Sequence, residues 1–240
     1  MSVQHELLKF VWKIGYSISR FTPTTHPIAR RKQILASYKI DTILDIGANS
    51  GQFAGQIRSD IGFTNRILSF EPLSSAYKLL KSNAKDDPAW EVFNFAIGET
   101  EEEQEINIAE NSESSSFLKM LPAHLKSAPN SKYIGKETIK IKTLDSLFCD
   151  LCGTAQNIYM KIDTQGFERK VLKGAENSLP HINTVQMEMS LVPLYEGELL
   201  FNEMLMLMGN KGYTLIAIEN GFSDPASGQL LQVDGIFHRF

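Results

Sequence analysis

An apolar run, Thr42-Ile-Leu44, leads into Asp45-Ile-Gly-Ala-Asn-Ser-Gly51 and then into Gln52-Phe-Ala-Gly-Gln-Ile57, which has helical character. Such a stretch turns from a first parallel strand into a helix, and a chain that carries it is confined to folds alternating the two. Glycines let the backbone of such a turn come close to a ligand. A second apolar run, Arg66-Ile-Leu-Ser-Phe70, closes on Glu71-Pro72. A carboxylate at that place can accept from both hydroxyls of a ribose. Together the two segments describe a nucleoside pocket.

The spacing selects among nucleosides. A dinucleotide site uses G-x-G-x-x-G, so that backbone N–H groups and a helix N-terminus meet a pyrophosphate. Here the glycines stand at Gly47, Gly51 and Gly55, and Asp45 precedes them. A carboxylate facing that loop repels a pyrophosphate but suits an ammonium group and a positively charged sulfur. S-adenosylmethionine carries both, has a ribose for Glu71 and has no phosphate. No G-x-x-x-x-G-K-[ST] occurs, which excludes a P-loop.

A chain of 240 residues can hold one well-buried α/β domain. Its formal charge of -4 argues against nucleic acid as a partner. The apolar N-terminal residues are interrupted by Glu6, Lys9 and Lys13, so they read neither as a membrane span nor as a secretory signal, and the cytoplasm is the default location. Cys149 and Cys152, the only cysteines, have no second pair or histidine cluster to complete a zinc site. They sit in a connection before a strand, where a redox dithiol is not expected.

Residues 5–19 place Leu7, Leu8, Val11, Trp12, Ile14 and Ile18 on a helical stripe, and Pro27 opens a second helix running to about Tyr38. This segment, 1–39, can cap the core, cover the site or carry a homodimer contact. From residue 40 onward, strands are expected at 42–46, 66–71 and 91–96, with helices near 52–60 and 74–84. The stretch 99–142 reads as an insertion: an acidic turn from Glu99 to Glu105, a polar run Asn111-Ser-Glu-Ser-Ser-Ser116, and an antiparallel pair from the alternating segments 105–109 and 138–142. Alternation resumes with a central strand at 157–163, a helix at 166–179, a strand at 184–188, a helix at 199–211 and strands at 213–218 and 235–240. Met204, Met206 and Met208 are read as packing. The expected fold is a doubly wound, mostly parallel seven-stranded sheet with a small antiparallel insertion, and its ligand lies across the carboxyl ends of the first strands.

Several separated segments match one family together: Ile43 to Gly51, Ser69-Phe-Glu-Pro72, Asn94-Phe-Ala-Ile-Gly98, Lys142-Thr-Leu-Asp145, Met160-Lys-Ile-Asp-Thr-Gln-Gly-Phe-Glu168 and Val171-Leu-Lys-Gly-Ala175. From about residue 40 to the C-terminus the chain resembles the FkbM-type family of class I, Rossmann-like, S-adenosylmethionine-dependent methyltransferases. The resemblance implies O-methyl transfer to a sugar hydroxyl of a glycan, or to a glycosylated or related natural product. The family commonly has a carboxylate where this chain has Gln165, so that position is set aside as a catalytic candidate, while Asp163 is kept.

Methyl transfer needs an aligned oxygen nucleophile and assistance in losing its proton. Asp45, Gly47, Ala48, Asn49 and Gly51 are expected around the methionine part of the cofactor. Glu71 and Pro72 are expected at the ribose, and Ala96 and Ile97 along the adenine, although short apolar runs read equally well as core. Asp163, ending the fourth strand beside the methyl group, is the expected general base, or a ligand for a divalent metal such as magnesium; Glu188, ending the fifth, is its partner. Tyr195, Glu198, His124 and His238 are secondary candidates for substrate contact. His124 reaches the site only if the insertion folds over it as a lid. Two other readings stay open: an NAD-type nucleotide-binding oxidoreductase, and a non-catalytic nucleoside-binding protein.

Overall fold

A computed structural model describes the backbone of residues 3–240 and side chains from residue 5, and it divides into two compact units, one ending at Lys39 and one spanning Ile40–Phe240. The first two residues of the 1–39 segment lie outside the described residues. The first unit holds helices α1, Val3–Lys13, and α2, Pro27–Ser37. The helix expected over 5–19 stops at Lys13 because the chain turns at Gly15, with φ +85°, and Tyr16 N–H returns to the Val11 carbonyl at 3.1 Å. Proline at the first position of α2 costs no hydrogen bond there.

The second unit is built on ten strands. They are β1 (Thr42–Ile46), β2 (Arg66–Phe70), β3 (Trp90–Phe93), β4 (Ala96–Ile97), β5 (Glu102–Ala109), β6 (Tyr133–Lys142), β7 (Ile158–Ile162), β8 (Thr184–Ser190), β9 (Thr214–Asn220) and β10 (Gln232–His238). Seven form one sheet in the order β3-β2-β1-β7-β8-β10-β9. All neighbours in it are parallel except β10, which runs antiparallel to β8 and β9. β1 and β7 are buried at every residue, as central parallel strands covered on both faces must be. The strand order departs in opposite directions from the β1–β7 pair, so a crevice for a ligand falls at their carboxyl ends.

Helices follow the strands: α3 (Gln52–Gln56), which relaxes into a wider turn over Ile57–Ile61, α4 (Ser74–Ala84), α7 (Glu168–Lys173) after β7 and α8 (Phe201–Asn210) after β8. Two further helices, α5 (Pro122–Ser127) and α6 (Leu144–Cys152), were not expected from the sequence. Thr143 caps α6 by accepting from Ser146 N–H at 3.2 Å. The cysteine pair therefore lies on the last turn of a helix and not in a connection; both thiols are free, and burial pushes the Cys152 thiol up to about 11.

The insertion forms a second sheet, β4-β6-β5, whose β5–β6 pair is antiparallel as expected. The strand expected over 91–96 ends at Phe93. Asn94 turns the chain by donating to the Glu71 and Pro72 carbonyls at 3.0 and 2.9 Å, and Ala96–Ile97 then joins β6 instead. Only part of the acidic run is a turn, since Glu102 to Glu105 lie in β5. The helix expected over 166–179 shortens to α7. Gly174 packs so tightly on Gly98 that a Cβ would lie 1.7 Å from the Gly98 carbonyl oxygen, and Asp145 takes the N–H groups of Asn177 and Ser178. In α8, Met204 and Met208 are buried while Met206 is exposed, the split that a helical period imposes.

Candidate active site

Register brings the carboxyl ends of four strands level. Ile46 pairs with Phe70 on one side and Ile162 on the other, and Ile162 pairs with Met187. Asp45 is thus beside Ser69 and Lys161, and Asp163, just past the end of β7, is level with Glu188, which does not end its strand as expected because pairing with β10 carries β8 on to Ser190. The turn after β1 is held down on both flanks. Gly47 and Ala48 donate to the Phe70 carbonyl at 3.1 and 3.0 Å, and Asp163 N–H donates to the Ile46 carbonyl at 3.0 Å.

The glycines have packing reasons of their own. Gly47 has φ +78°, and a Cβ there would sit 1.9 Å from the Asp163 carbonyl oxygen. Gly51 has φ +92°, and its missing side chain leaves room for Trp90 and Leu80. Asn49 sits between them at φ +47°. Its N–H donates to Glu71 Oε2 at 2.8 Å, and the other carboxylate oxygen, Oε1, accepts from Leu73 N–H at 2.8 Å. Glu71 is thereby fixed at the turn, and burial raises its carboxyl to about 7.

Asp45 has no exposed surface. One of its oxygens accepts from Ser69 Oγ at 3.2 Å, and the other faces the Lys161 ammonium at 3.7 Å. It therefore does not front the loop as expected; burial raises its carboxyl, and Lys161 and Ser69 oppose that rise. Lys161 also lies 3.2 Å from Asp163 Oδ2 and over the Phe53 ring at 5.2 Å. Burial alone would lower the lysine, but the two carboxylates prevail and push it up.

Gln165, at φ +53°, links the groups around Asp163 and Glu188. Its Nε2 donates to Asp163 Oδ1 and to Glu188 Oε2, each at 2.9 Å, and its Oε1 accepts from the Tyr195 hydroxyl at 2.7 Å. Gln232 Nε2 donates to Glu188 Oε2 at 2.9 Å, and Gln186 Nε2 to Asp234 Oδ1 at 3.1 Å. Burial, then the neighbouring Asp163 and Asp234, raise the Glu188 carboxyl well above the usual range. The insertion closes over this group. Ser116 Oγ donates to the Gln165 carbonyl at 2.7 Å, Asn49 Nδ2 to Ser112 Oγ at 3.2 Å and Gln52 Nε2 to Glu113 Oε1 at 3.0 Å. Leu121 N–H and Glu196 N–H tie the same insertion to the loop after β8.

Residues 45–215 match the model of the methyltransferase FkbM domain. The chain belongs to the FkbM methyltransferase family. S-adenosylmethionine-dependent methyl transfer is the chemistry of that family. No curated protein matches the chain in sequence. Similar solved structures include methyltransferase FkbM from Methylobacillus flagellatus KT, with 14% identity, a TM-score of 0.48 and coverage of 82% of this chain but 43% of that one. TehB from Haemophilus influenzae has 10% identity, a TM-score of 0.47 and coverage of 96% and 66%. Fibrillarin from Aeropyrum pernix, described with natively bound S-adenosyl-L-methionine, has 11% identity, a TM-score of 0.45 and coverage of 81% and 66%. The chain thus spans less than half the length of the first of these.

Within this FkbM domain the expected residues fall into separate groups. Gly47, Ala48, Asn49, Gly51, Glu71, Pro72, Asp163 and Glu188 gather at the β1–β7 switch point. Ala96 and Ile97 are core residues of the two sheets, packed in separate clusters. Tyr195 is buried and gives its hydroxyl to Gln165. Glu198 is a loop anchor: it accepts from Ser190 Oγ at 2.7 Å and from the N–H groups of Leu194 and Tyr195. His124 is brought towards the site by the folded insertion, but as a buried ring 5.2 Å from that of Tyr195, lowered to about 4 by burial. His238 pairs with Thr184 at the far end of β8 and bonds its hydroxyl at 2.8 Å, four residues along the strand from Glu188. Lys161 and Gln232 were missed, and Gln165 had been set aside. For Lys161 a signal existed, since it shares a strand face with Asp163 two residues on. Among the described residues no cluster of three or more metal-ligating His, Cys, Asp or Glu side chains is present, and no helix is long and apolar enough to cross a membrane.

Proposed function

We propose that the chain is an S-adenosylmethionine-dependent O-methyltransferase acting on a hydroxyl of a sugar, glycan or glycosylated natural product. The observation that carries this reading is the Asp163 carboxylate. It is held through Oδ1 by Gln165 and through Oδ2 by Lys161, yet its side chain is 37% exposed, whereas its neighbour Asp45 is wholly enclosed. It is an oriented acceptor, open to an incoming hydroxyl and one strand from the Gly47–Gly51 turn.

The residues present fit the cofactor. Glu71 supplies a fixed carboxylate for the ribose hydroxyls, Asn49 and Ala48 line the turn, and Lys161, the ammonium nearby, is held by Asp45 and Asp163 instead of awaiting a phosphate. When bound, S-adenosylmethionine supplies an electrophilic methyl carbon on a positively charged sulfur. Asp163 aligns the acceptor hydroxyl and takes its proton as the oxygen reacts. Lys161 holds the Asp163 carboxylate in place through Oδ2. Glu188, with its raised carboxyl, is a neighbouring store for the proton. The Asn111–Ser116 segment excludes water from the approach. The sugar-type acceptor rests on the family resemblance.

Labelled methyl transfer from S-adenosylmethionine, screened against glycans and glycosylated metabolites with and without magnesium, tests the reading. Asp163→Asn is expected to lower the rate by about 10²–10⁴ while leaving S-adenosylhomocysteine affinity within a few-fold. An unchanged rate removes Asp163 from catalysis. Calorimetry that finds tight NAD binding and none for S-adenosylhomocysteine overturns the methyltransferase reading itself.

A further inference from the structure

Two carboxylates level with each other on adjacent strands, as Asp163 and Glu188 are, need something positive between them. A shared proton or a divalent cation are the usual solutions. Here the place is taken by a side-chain amide. One nitrogen, Gln165 Nε2, donates to Asp163 Oδ1 and Glu188 Oε2 at 2.9 Å each, so its two hydrogens are both committed. The amide cannot turn its oxygen towards the pair. Oε1 accepts from the buried Tyr195 hydroxyl at 2.7 Å, and reversing the amide would leave that phenol without its acceptor and set oxygen against carboxylate oxygen. Further donors crowd the pair: Lys161 Nζ meets Asp163 Oδ2 at 3.2 Å, and Gln232 Nε2 meets Glu188 Oε2, the oxygen Gln165 also holds, at 2.9 Å. Magnesium requires about six oxygen ligands at close range, and a nitrogen bearing hydrogens offers none. The backbone of Gln165 is fixed as well, through its carbonyl bond from Ser116 Oγ.

We propose that Gln165 is a positioning residue that stands where a divalent cation would otherwise bridge Asp163 and Glu188, so that the pair works without metal. The statement about catalysis rests on the methyltransferase reading; the statement about metal does not. Glutamate at 165 has the same length and would place a third carboxylate at the same point, converting a donor-filled site into an oxygen-lined one.

The test is titration of the full chain with Mn²⁺ alone, followed by electron paramagnetic resonance of the free ion. The wild type is expected to bind no stoichiometric Mn²⁺. Gln165→Glu is expected to bind one per chain, at least about ten-fold more tightly than the parent, and to lose it when Asp163→Asn is added. In methyl transfer, chelator and added magnesium should leave the wild-type rate unchanged. Gln165→Ala should move the acidic limb of the rate profile up by about one pH unit, with S-adenosylhomocysteine affinity retained. One Mn²⁺ bound by the wild type and removed by Asp163→Asn overturns the proposal without recourse to any Gln165 variant. So does loss of wild-type activity in chelator, an unaltered pH profile for Gln165→Ala, or a folded Gln165→Glu chain that takes up no metal. A chain that binds no S-adenosylhomocysteine defeats the methyltransferase reading and leaves the Mn²⁺ result standing.

Discussion

Lys161 is the residue on which the site's electrostatics turn. It is 8% exposed and lies between Asp45, which is fully enclosed, and Asp163. Lys161→Met keeps much of the volume but strands a buried carboxylate, and a loss of about 3–5 kcal/mol is expected in urea unfolding at neutral pH. Two buried glutamates give the pH dependence. Glu71 and Glu168 are both raised from 4.5 to about 7 by burial. The folded chain therefore holds these protons more firmly than the unfolded one. The stability they contribute is complete below about pH 4.5 and is lost as pH rises through about 7. In Glu168 all three donors, Thr164 N–H, Thr164 Oγ1 and Gly166 N–H, meet the single oxygen Oε1, which glutamine can reproduce. Glu168→Gln should consequently gain roughly 1–3 kcal/mol relative to the parent between pH 5 and pH 8. For Glu71 the sign matters to the proposed ribose contact, because ribose hydroxyls need the ionised acceptor. Calorimetry should find S-adenosylhomocysteine affinity rising by up to about ten-fold from pH 6 to pH 8, with the rise absent in Glu71→Gln. The sequence pointed to Asp163, Glu188 and Glu71 because each closes an apolar run expected to be a strand, a position readable from pattern, although β8 continues past Glu188 to Ser190. It could not expose Gln165 or demote Tyr195 and Glu198, because a side chain's partner across a loop leaves no local pattern.

At the scale of elements, the Gly47 turn joins β1 to the loop that carries Asp163. Gly47→Ala adds a Cβ 1.9 Å from the Asp163 carbonyl oxygen at a backbone φ of +78°, so relief must come from displacing that loop. A loss of about 3 kcal/mol or more is expected in denaturant unfolding, together with weaker S-adenosylhomocysteine binding. Long or strongly patterned elements were legible: α4 falls on its expected bounds, and β1, β2, β7 and β8 within about two residues of theirs. The misreadings share a cause in tertiary contact. α7 is cut short where Gly174 meets Gly98, β3 ends where Asn94 caps the Glu71 carbonyl, and α5 and α6 are short helices, the first opened by Pro122 and the second capped by Thr143. None of those contacts is visible in a window of neighbouring residues.

For the molecule as a whole, the sheet, its insertion and the gathered site all belong to Ile40–Phe240. That unit carries its own continuous core, from Leu44 and Ile46 across to Val233 and Phe237. A chain restricted to residues 40–240 is expected to melt cooperatively and to bind S-adenosylhomocysteine with affinity within a few-fold of the parent, read by calorimetry. A fragment with no cooperative transition would make residues 1–39 part of the folding unit.

The placement of β10 between β8 and β9 has a consequence for how the protein is made. A ribosome delivers β9 before β10, yet β9 has no partner in the sheet other than β10, and β8 keeps one bare edge until β10 arrives. The nascent chain therefore carries an open strand edge late in its synthesis, the feature on which non-native pairing and chaperone capture act. Gln232, which bonds Glu188, arrives on that same final strand, so the proposed reacting end of the site is assembled last.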